Sequence, residues 1–198
     1  MIHTDGLSRR AVLASPAILA LAGTAACAEP GGAPPTSAAK MLVAYFTRSG
    51  NTKVIAGTTQ RKLGADLFEI RAATAYPEDH EKTVAQAKLE RDRGVEPPLA
   101  ESVSNLPQYD AIFLGFPIWG ETAPPVIRSF LKAHDLRGKT LRPFITHGGY
   151  GLGSSLAVLA SHAPGARIEA PFVMKADQER RTLNAVTGWR GGIQGDAR

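Results

Sequence analysis

The chain has 198 residues, 43% of them apolar and 21% charged, with Gly 20 and Pro 14; this suits one cored domain plus a short extension and excludes two independently cored domains. A single cysteine excludes an intrachain disulfide and a thiolate zinc or iron–sulfur centre, so any redox chemistry must come from a bound cofactor. The formal net charge of +5 favours anionic partners, but the basic residues are scattered and form no run of the kind that tracks nucleic acid.

Ser8-Arg9-Arg10 precedes an uncharged, largely apolar stretch from Ala11 to Ala26, followed by Ala26-Cys27-Ala28. This is the layout of a signal peptide over residues 1–28, too short in its apolar part for a transmembrane helix. The paired arginines resemble a twin-arginine signal, which carries folded proteins out of the cytoplasm; an ordinary secretory signal containing two arginines is the other reading. The small residues allow cleavage after Ala28, while Thr24-Ala25-Ala26-Cys27 also resembles a lipoprotein box and would make Cys27 a lipid anchor. The expected location is the periplasm or the cell envelope. Loss of residues 1–28 removes Arg9, Arg10 and Asp5 and leaves the balance basic. Residues 29–40, rich in Gly, Pro and Ala, read as a flexible linker, with the domain at 41–190 and a tail at 191–198.

Met41 to Phe46 is a nearly continuous apolar run ended by a polar cluster, as expected of a strand buried on both faces of a parallel sheet. Thr52 to Leu63 then turns helical, with Val54, Ile55 and Leu63 on a common face and Gly64 in a closing position. Asp66 to Arg71 is a second strand. Glu78 to Arg93 is an amphipathic helix with acids leading and bases trailing, which reads as a solvated surface helix entered through Tyr76-Pro77. Ala111 to Gly115 is the third strand, Pro124 to Ala133 a helix burying Val126, Ile127, Phe130 and Leu131, and Leu141 to Thr146 the fourth strand. A helix over Gly153 to Ala163 with Leu156, Leu159 and Ala160 inward, an edge strand at Arg167 to Val173 containing Pro171, and a helix over Asp177 to Trp189 complete the series. Strands alternating with helices predict a doubly wound α/β fold. Its ligand crevice lies beyond the strand C-termini, where strand order reverses.

The loops at those C-termini are chemically unusual. Thr47-Arg48-Ser49-Gly50-Asn51-Thr52 places three hydroxyls, an amide and a glycine at a helix start, a bowl suited to a phosphate monoester. It lacks the Gly-Lys-Ser/Thr ending of triphosphate loops and the spaced glycines of a dinucleotide fingerprint; a polar turn that merely caps the helix is the other reading, disfavoured by the loop's position directly after the first strand. Phe116-Pro117-Ile118-Trp119-Gly120-Glu121-Thr122 puts a tryptophan in a glycine-bearing turn, where it either meets a planar ligand or packs against the neighbouring helix. Thr146-His147-Gly148-Gly149-Tyr150-Gly151-Leu152-Gly153 is a glycine-rich turn carrying another aromatic. His147 is either a proton-transfer group or a turn residue donating to backbone. His80, His134 and His162 lie apart without ligand spacing, so no metal site is expected.

The strand Leu42–Phe46 with its Thr-Arg-Ser-Gly-Asn-Thr loop resembles the FMN phosphate signature of flavodoxins, and the second and third loops resemble a flavodoxin-like subgroup with a Pro-Ile-Trp loop. The resemblance covers about Met41 to Val173. It implies a three-layer sandwich with a five-stranded parallel sheet in order 2-1-3-4-5 and one noncovalent FMN. In that reading Thr47, Ser49, Gly50, Asn51 and Thr52, with Arg48 among them, hold the phosphate, and Trp119 and Tyr150 flank the ring. Backbone of Pro117, Ile118, Gly120, Gly148, Gly149 and Gly151, with His147 beside them, lines the ring and ribityl chain. Many relatives have Trp-Gly where this chain has Gly120-Glu121.

The resemblance implies electron transfer between redox partners, a partner protein or a quinone, because the cofactor carries the electrons and the protein tunes it. A second reading is an NAD(P)H-dependent quinone or FMN reductase on the same fold, disfavoured by export because nicotinamide nucleotides are cytoplasmic. A third is an FMN-binding or carrier module without turnover. Flavodoxins are commonly acidic, so the basic balance here predicts a comparatively high potential for the low-potential couple, moderated by salt screening.

Overall fold

In the computed structural model, which describes residues 39–175, side chains alternate along each central strand between two buried layers. In β1 (Met41–Tyr45) and the following Phe46, Leu42, Ala44 and Phe46 enter one core while Val43 and Tyr45 enter the other. In β3 (Ala111–Pro117), Ile112, Leu114 and Phe116 face the first core and Phe113 the second. That double burial is why these segments read as unbroken apolar runs. The predicted signal peptide, the predicted linker except its last two residues, the helix at 177–189 and the tail at 191–198 lie outside the described residues.

The strand order is β2-β1-β3-β4-β5, all parallel, with β2 at Asp66–Glu69, β4 at Thr140–His147 and β5 at Arg167–Ile168. The expected doubly wound order 2-1-3-4-5 is present, with one correction: the predicted fifth strand is two strands. β5 pairs with Thr140 and Leu141, and β6 (Phe172–Lys175) pairs with Phe144 to His147, so Glu169, Ala170 and Pro171 lie opposite only Arg142 and Pro143. Pro171 has no N–H to give the ladder, and the surplus residue bulges out at the sheet edge. Arg142 fastens the bulge, its Nε donating to Glu169 at 2.6 Å.

Helix α1 (Asn51–Leu63) ends on Gly64, which takes the left-handed conformation with φ 62° and donates its N–H to Gln60. Its buried face is Thr52, Ile55, Ala56 and Thr59, at helical spacing, while Val54 is exposed and Leu63 only half-buried. Of the predicted apolar face of α1, Ile55 is buried as expected while Val54 and Leu63 are not, and Ala56 with two threonines takes the remaining places. Helix α2 (His80–Asp92) is capped by Asp79, whose carboxylate accepts from the Lys82 N–H at 2.9 Å. Helix α3 (Pro125–Ala133) buries Val126, Ile127, Phe130 and Leu131 as expected. Helix α4 (Ser155–His162) begins later than expected and turns Ser155 and Leu159 inward, leaving Leu156 and Ala160 exposed.

Strand order reverses between β1 and β3, and the segments that leave β1, β3 and β4 gather at this end of the sheet.

Candidate cofactor site

The residues following β1, from Thr47 to Thr52, form loop 1. Gly50 caps α1 with φ 92°, a conformation open to glycine at little cost, and its N–H donates to Thr47 Oγ1 at 3.0 Å. No side chain caps this helix and its first turn holds no acid, so its N-terminal amides and dipole are available to an anion. Thr52 is 1% exposed and shares a 3.0 Å hydrogen bond with the hydroxyl of Thr146, so within loop 1 it offers a ligand its backbone rather than its side chain.

Loop 2 runs from Ile118 to Thr122. The Ile118 N–H donates to the Thr146 carbonyl at 2.8 Å and the Trp119 N–H to the Thr122 carbonyl at 3.0 Å. Gly120 and Glu121 both take positive φ, 57° and 63°. Glycine adopts this conformation freely; Glu121, the one described non-glycine residue that does so, holds strain of roughly 1–2 kcal/mol. Glu121→Gly should raise thermal stability by about 1 kcal/mol, read as a melting-temperature increase of about 2–4 °C.

Loop 3 runs from Gly148 to Ser154 and is organised by His147, whose Nδ1 accepts from the N–H groups of Gly149 at 3.1 Å and Gly151 at 3.2 Å. The expectation that His147 donates to backbone is thus reversed. An imidazole accepting at Nδ1 carries its proton on Nε2. Loop 3 closes on loop 2 where Ser154 donates its N–H to the Glu121 carbonyl and its hydroxyl to Thr122 Oγ1, both at 2.9 Å.

Thr146, which the sequence places at the junction of the fourth strand and the third loop without a role of its own, joins all three loops. Its carbonyl holds loop 2, its buried hydroxyl holds Thr52 of loop 1, and its chain continues into His147. Thr146→Val leaves the Thr52 hydroxyl buried without its partner, and a loss of about 1–3 kcal/mol in unfolding free energy is expected from denaturant titration.

Together the loops and α2 enclose a cleft of about 520 Å³, within the range of small-molecule and cofactor sites. Of the predicted site residues, Arg48, Ser49, Pro117, Ile118, Trp119, Gly120, His147, Gly148 and Tyr150 line it; Thr47, Gly50, Asn51, Thr52, Gly149 and Gly151 lie in the same loops but not in the lining. Trp119 packs nearly perpendicular to Phe46, with centroids at 5.1 Å, and to Tyr76, at 4.9 Å. Tyr76, expected from sequence to enter the helix and shield the crevice without chemistry of its own, holds the tryptophan, and its hydroxyl donates to Glu90 at 2.8 Å. Burial, then that hydrogen bond, pushes the Tyr76 hydroxyl far above the ordinary tyrosine range, so it remains a neutral donor. Tyr150 is 86% exposed at the mouth of the cleft.

The wall missed by sequence is α2, which contributes His80, Thr83, Val84, Ala87, Lys88 and Arg91. Reading α2 as a wholly solvated surface helix is corrected: these residues recur at intervals of three and four along one face, and that spacing was the available signal.

The sequence profile of the flavodoxin family matches residues 40–189. The chain belongs to the flavodoxin family. A candidate flavoprotein from Bacteroides eggerthii is 31% identical, with a TM-score of 0.68 over 78% of this chain and 98% of that one. A second, from Bacteroides uniformis, is 26% identical, with a TM-score of 0.67 over 76% of this chain and 99% of that one. A flavoprotein from Lactobacillus acidophilus solved in complex with FMN shares the flavodoxin fold at 22% identity, with a TM-score of 0.60 over 74% of this chain and 99% of that one. No curated protein matches the chain.

The donor set fits a flavodoxin cofactor. Loop 1 brings Arg48 and the Ser49 hydroxyl to the cleft, next to the uncapped start of α1, for a phosphate, and Trp119, Ile118 and Val84 give apolar surface for a planar ring in that cleft.

Proposed function

We propose that this protein is an exported electron carrier that works through FMN. FMN as cofactor follows from membership of the flavodoxin family. The observation that carries the reading is that one cleft is lined both by Arg48 and Ser49, which immediately precede the uncapped start of α1, and by an aromatic wall that includes Trp119.

In this reading the backbone amides at the start of α1 and the Ser49 hydroxyl bind the phosphate, with Arg48 adding positive charge at the rim. Arg48 is steadied by 3.4 Å contacts to the Glu78 carbonyl and His80 Nδ1. Trp119, braced by Phe46 and Tyr76, offers a fixed surface to the ring, and Tyr150 shields its outer side from water. When bound, FMN supplies one- and two-electron transfer. The hydrogen bonds of Thr146 and Ser154 hold the three loops at fixed separation, so little reorganisation accompanies each transfer.

Export is supported by the arginine pair and apolar stretch of residues 8–28, and it fits a protein that acquires its cofactor before crossing the membrane folded. Replacing Arg9 and Arg10 by lysine should retain the protein in the cytoplasm if the twin-arginine route is used; unchanged fractionation would reject that route.

The function is tested by rapid mixing of the FMN-loaded protein with NADPH and, separately, with a reduced donor flavoprotein. Reduction by the donor alone supports the carrier. Rapid oxidation of NADPH would make the protein a reductase, and reduction by neither would leave an FMN-binding module.

A further inference from the structure

Gly120 has no side chain, and the space one would occupy is filled from α2. A Cβ built there would lie 2.5 Å from Nη1 of Arg91 and 3.3 Å from its Cζ, so the guanidinium rests on loop 2. Both residues line the cleft with Trp119 and Ile118. The Arg91 side chain is 27% exposed, and its ion pair among the described residues is a 3.7 Å contact to Asp92, a carboxylate that also binds Lys88. The other charged or titratable groups lining the cleft are Arg48, His80, Lys88, Glu121, His147 and Tyr150. Glu121 makes no ion pair with Arg91 among the described residues. The guanidinium is thus a partly sheltered positive charge facing the cleft, and its neutralisation by Asp92 is weak.

We propose that Arg91, seated on Gly120, raises the reduction potential of the bound flavin by favouring its reduced, anionic form over its oxidised, neutral form. The inference rests on FMN occupying the cleft. Uptake of two electrons and one proton adds one negative charge to the flavin ring. A cation that binds the anion more strongly than the neutral ring shifts the midpoint upward, and partial shelter from water preserves the effect. Lys88 is more exposed, at 65%, and is engaged by Asp92, so it contributes less.

The test is redox titration of the FMN-loaded full-length chain with dithionite, beside the affinity for oxidised FMN measured by quenching of flavin fluorescence. Arg91→Gln should lose about tenfold in preference for the reduced over the oxidised form, whatever its affinity for oxidised FMN, a midpoint lower by about 30 mV for the two-electron couple. Arg91→Lys should keep the parental midpoint, and Lys88→Gln should move it by less than a third as much as Arg91→Gln. An unchanged midpoint in Arg91→Gln overturns the inference, as does a fall in Arg91→Lys equal to that in Arg91→Gln, which would assign the effect to packing on Gly120. An equal shift in Lys88→Gln also overturns it, since the summed field of the protein would then be responsible. Failure of the parent chain to bind FMN overturns the reading of the cleft, and this inference with it.

Discussion

Gly153→Ala should lower the melting temperature of the apo protein by about 6–12 °C and weaken FMN binding with it. Gly153 has φ 50°, and a Cβ there would lie 1.8 Å from the Glu121 carbonyl oxygen and 2.5 Å from its carbon. Both obstacles are backbone, so no rotamer change relieves them. Alanine at such a φ costs roughly 1–2 kcal/mol, and forcing loops 2 and 3 apart adds about 1–3 kcal/mol. The total of about 3 kcal/mol converts to the stated shift at about 2–4 °C per kcal/mol for a domain of this size. The separation would also stretch the 2.9 Å bond from Ser154 to the Glu121 carbonyl, which keeps loop 2 in its left-handed turn. Gly148→Ala is the control: that residue lacks a positive φ and nothing lies within 4 Å of the added carbon, so a change within about 0.5 kcal/mol is expected. Circular dichroism melts of both variants check this, and equal melting temperatures would mean that the two loops are not packed as described.

Gly153 also illustrates what the sequence could and could not disclose. The sheet was legible because β1 and β3 are covered on both faces and therefore spelled out in continuous apolar residues. The turn into α1 was legible because it is local: its polar cluster, Gly50 and the helix start are consecutive in the chain. Interactions between distant segments left no such trace. Thr146 meets Thr52 across the sheet, Tyr76 reaches Trp119 from another connection, and Arg91 fills the space above Gly120. Each of these residues is ordinary in its own segment. The polarity of α2 pointed to solvent, although Thr83, Val84 and Ala87 give it a less polar face toward the cleft. His147 was placed in the correct loop, but whether its ring donates or accepts depends on where two glycine N–H groups point, which the fold decides. Pro171 marked an edge strand, and its missing N–H also accounts for the division into β5 and β6.

Ser49→Asp should weaken FMN binding by on the order of 100-fold while leaving riboflavin binding unchanged. Ser49 is exposed and lines the cleft beside the uncapped start of α1, so the substitution leaves the core untouched. It replaces a hydroxyl that donates to the phosphate by a carboxylate that repels it. Loss of a hydrogen bond to a charged group costs about 1.5–3 kcal/mol, and repulsion of a nearby unit charge at an effective dielectric constant of about 20 adds a similar amount, reduced by solvent. A net effect of about 3 kcal/mol corresponds to the stated change in affinity. Riboflavin carries the same ring and ribityl chain without the phosphate, so its affinity reports the aromatic wall alone. Ser49→Ala should weaken FMN binding by roughly tenfold, and added salt should recover part of the Ser49→Asp loss by screening the repulsion. The measurement is fluorescence titration of both flavins against the parent and the two variants. If Ser49→Asp weakens FMN and riboflavin equally, the residue acts on the shape of the cleft and not on the phosphate. If it weakens neither, the helix start at residue 51 is not where the anion binds.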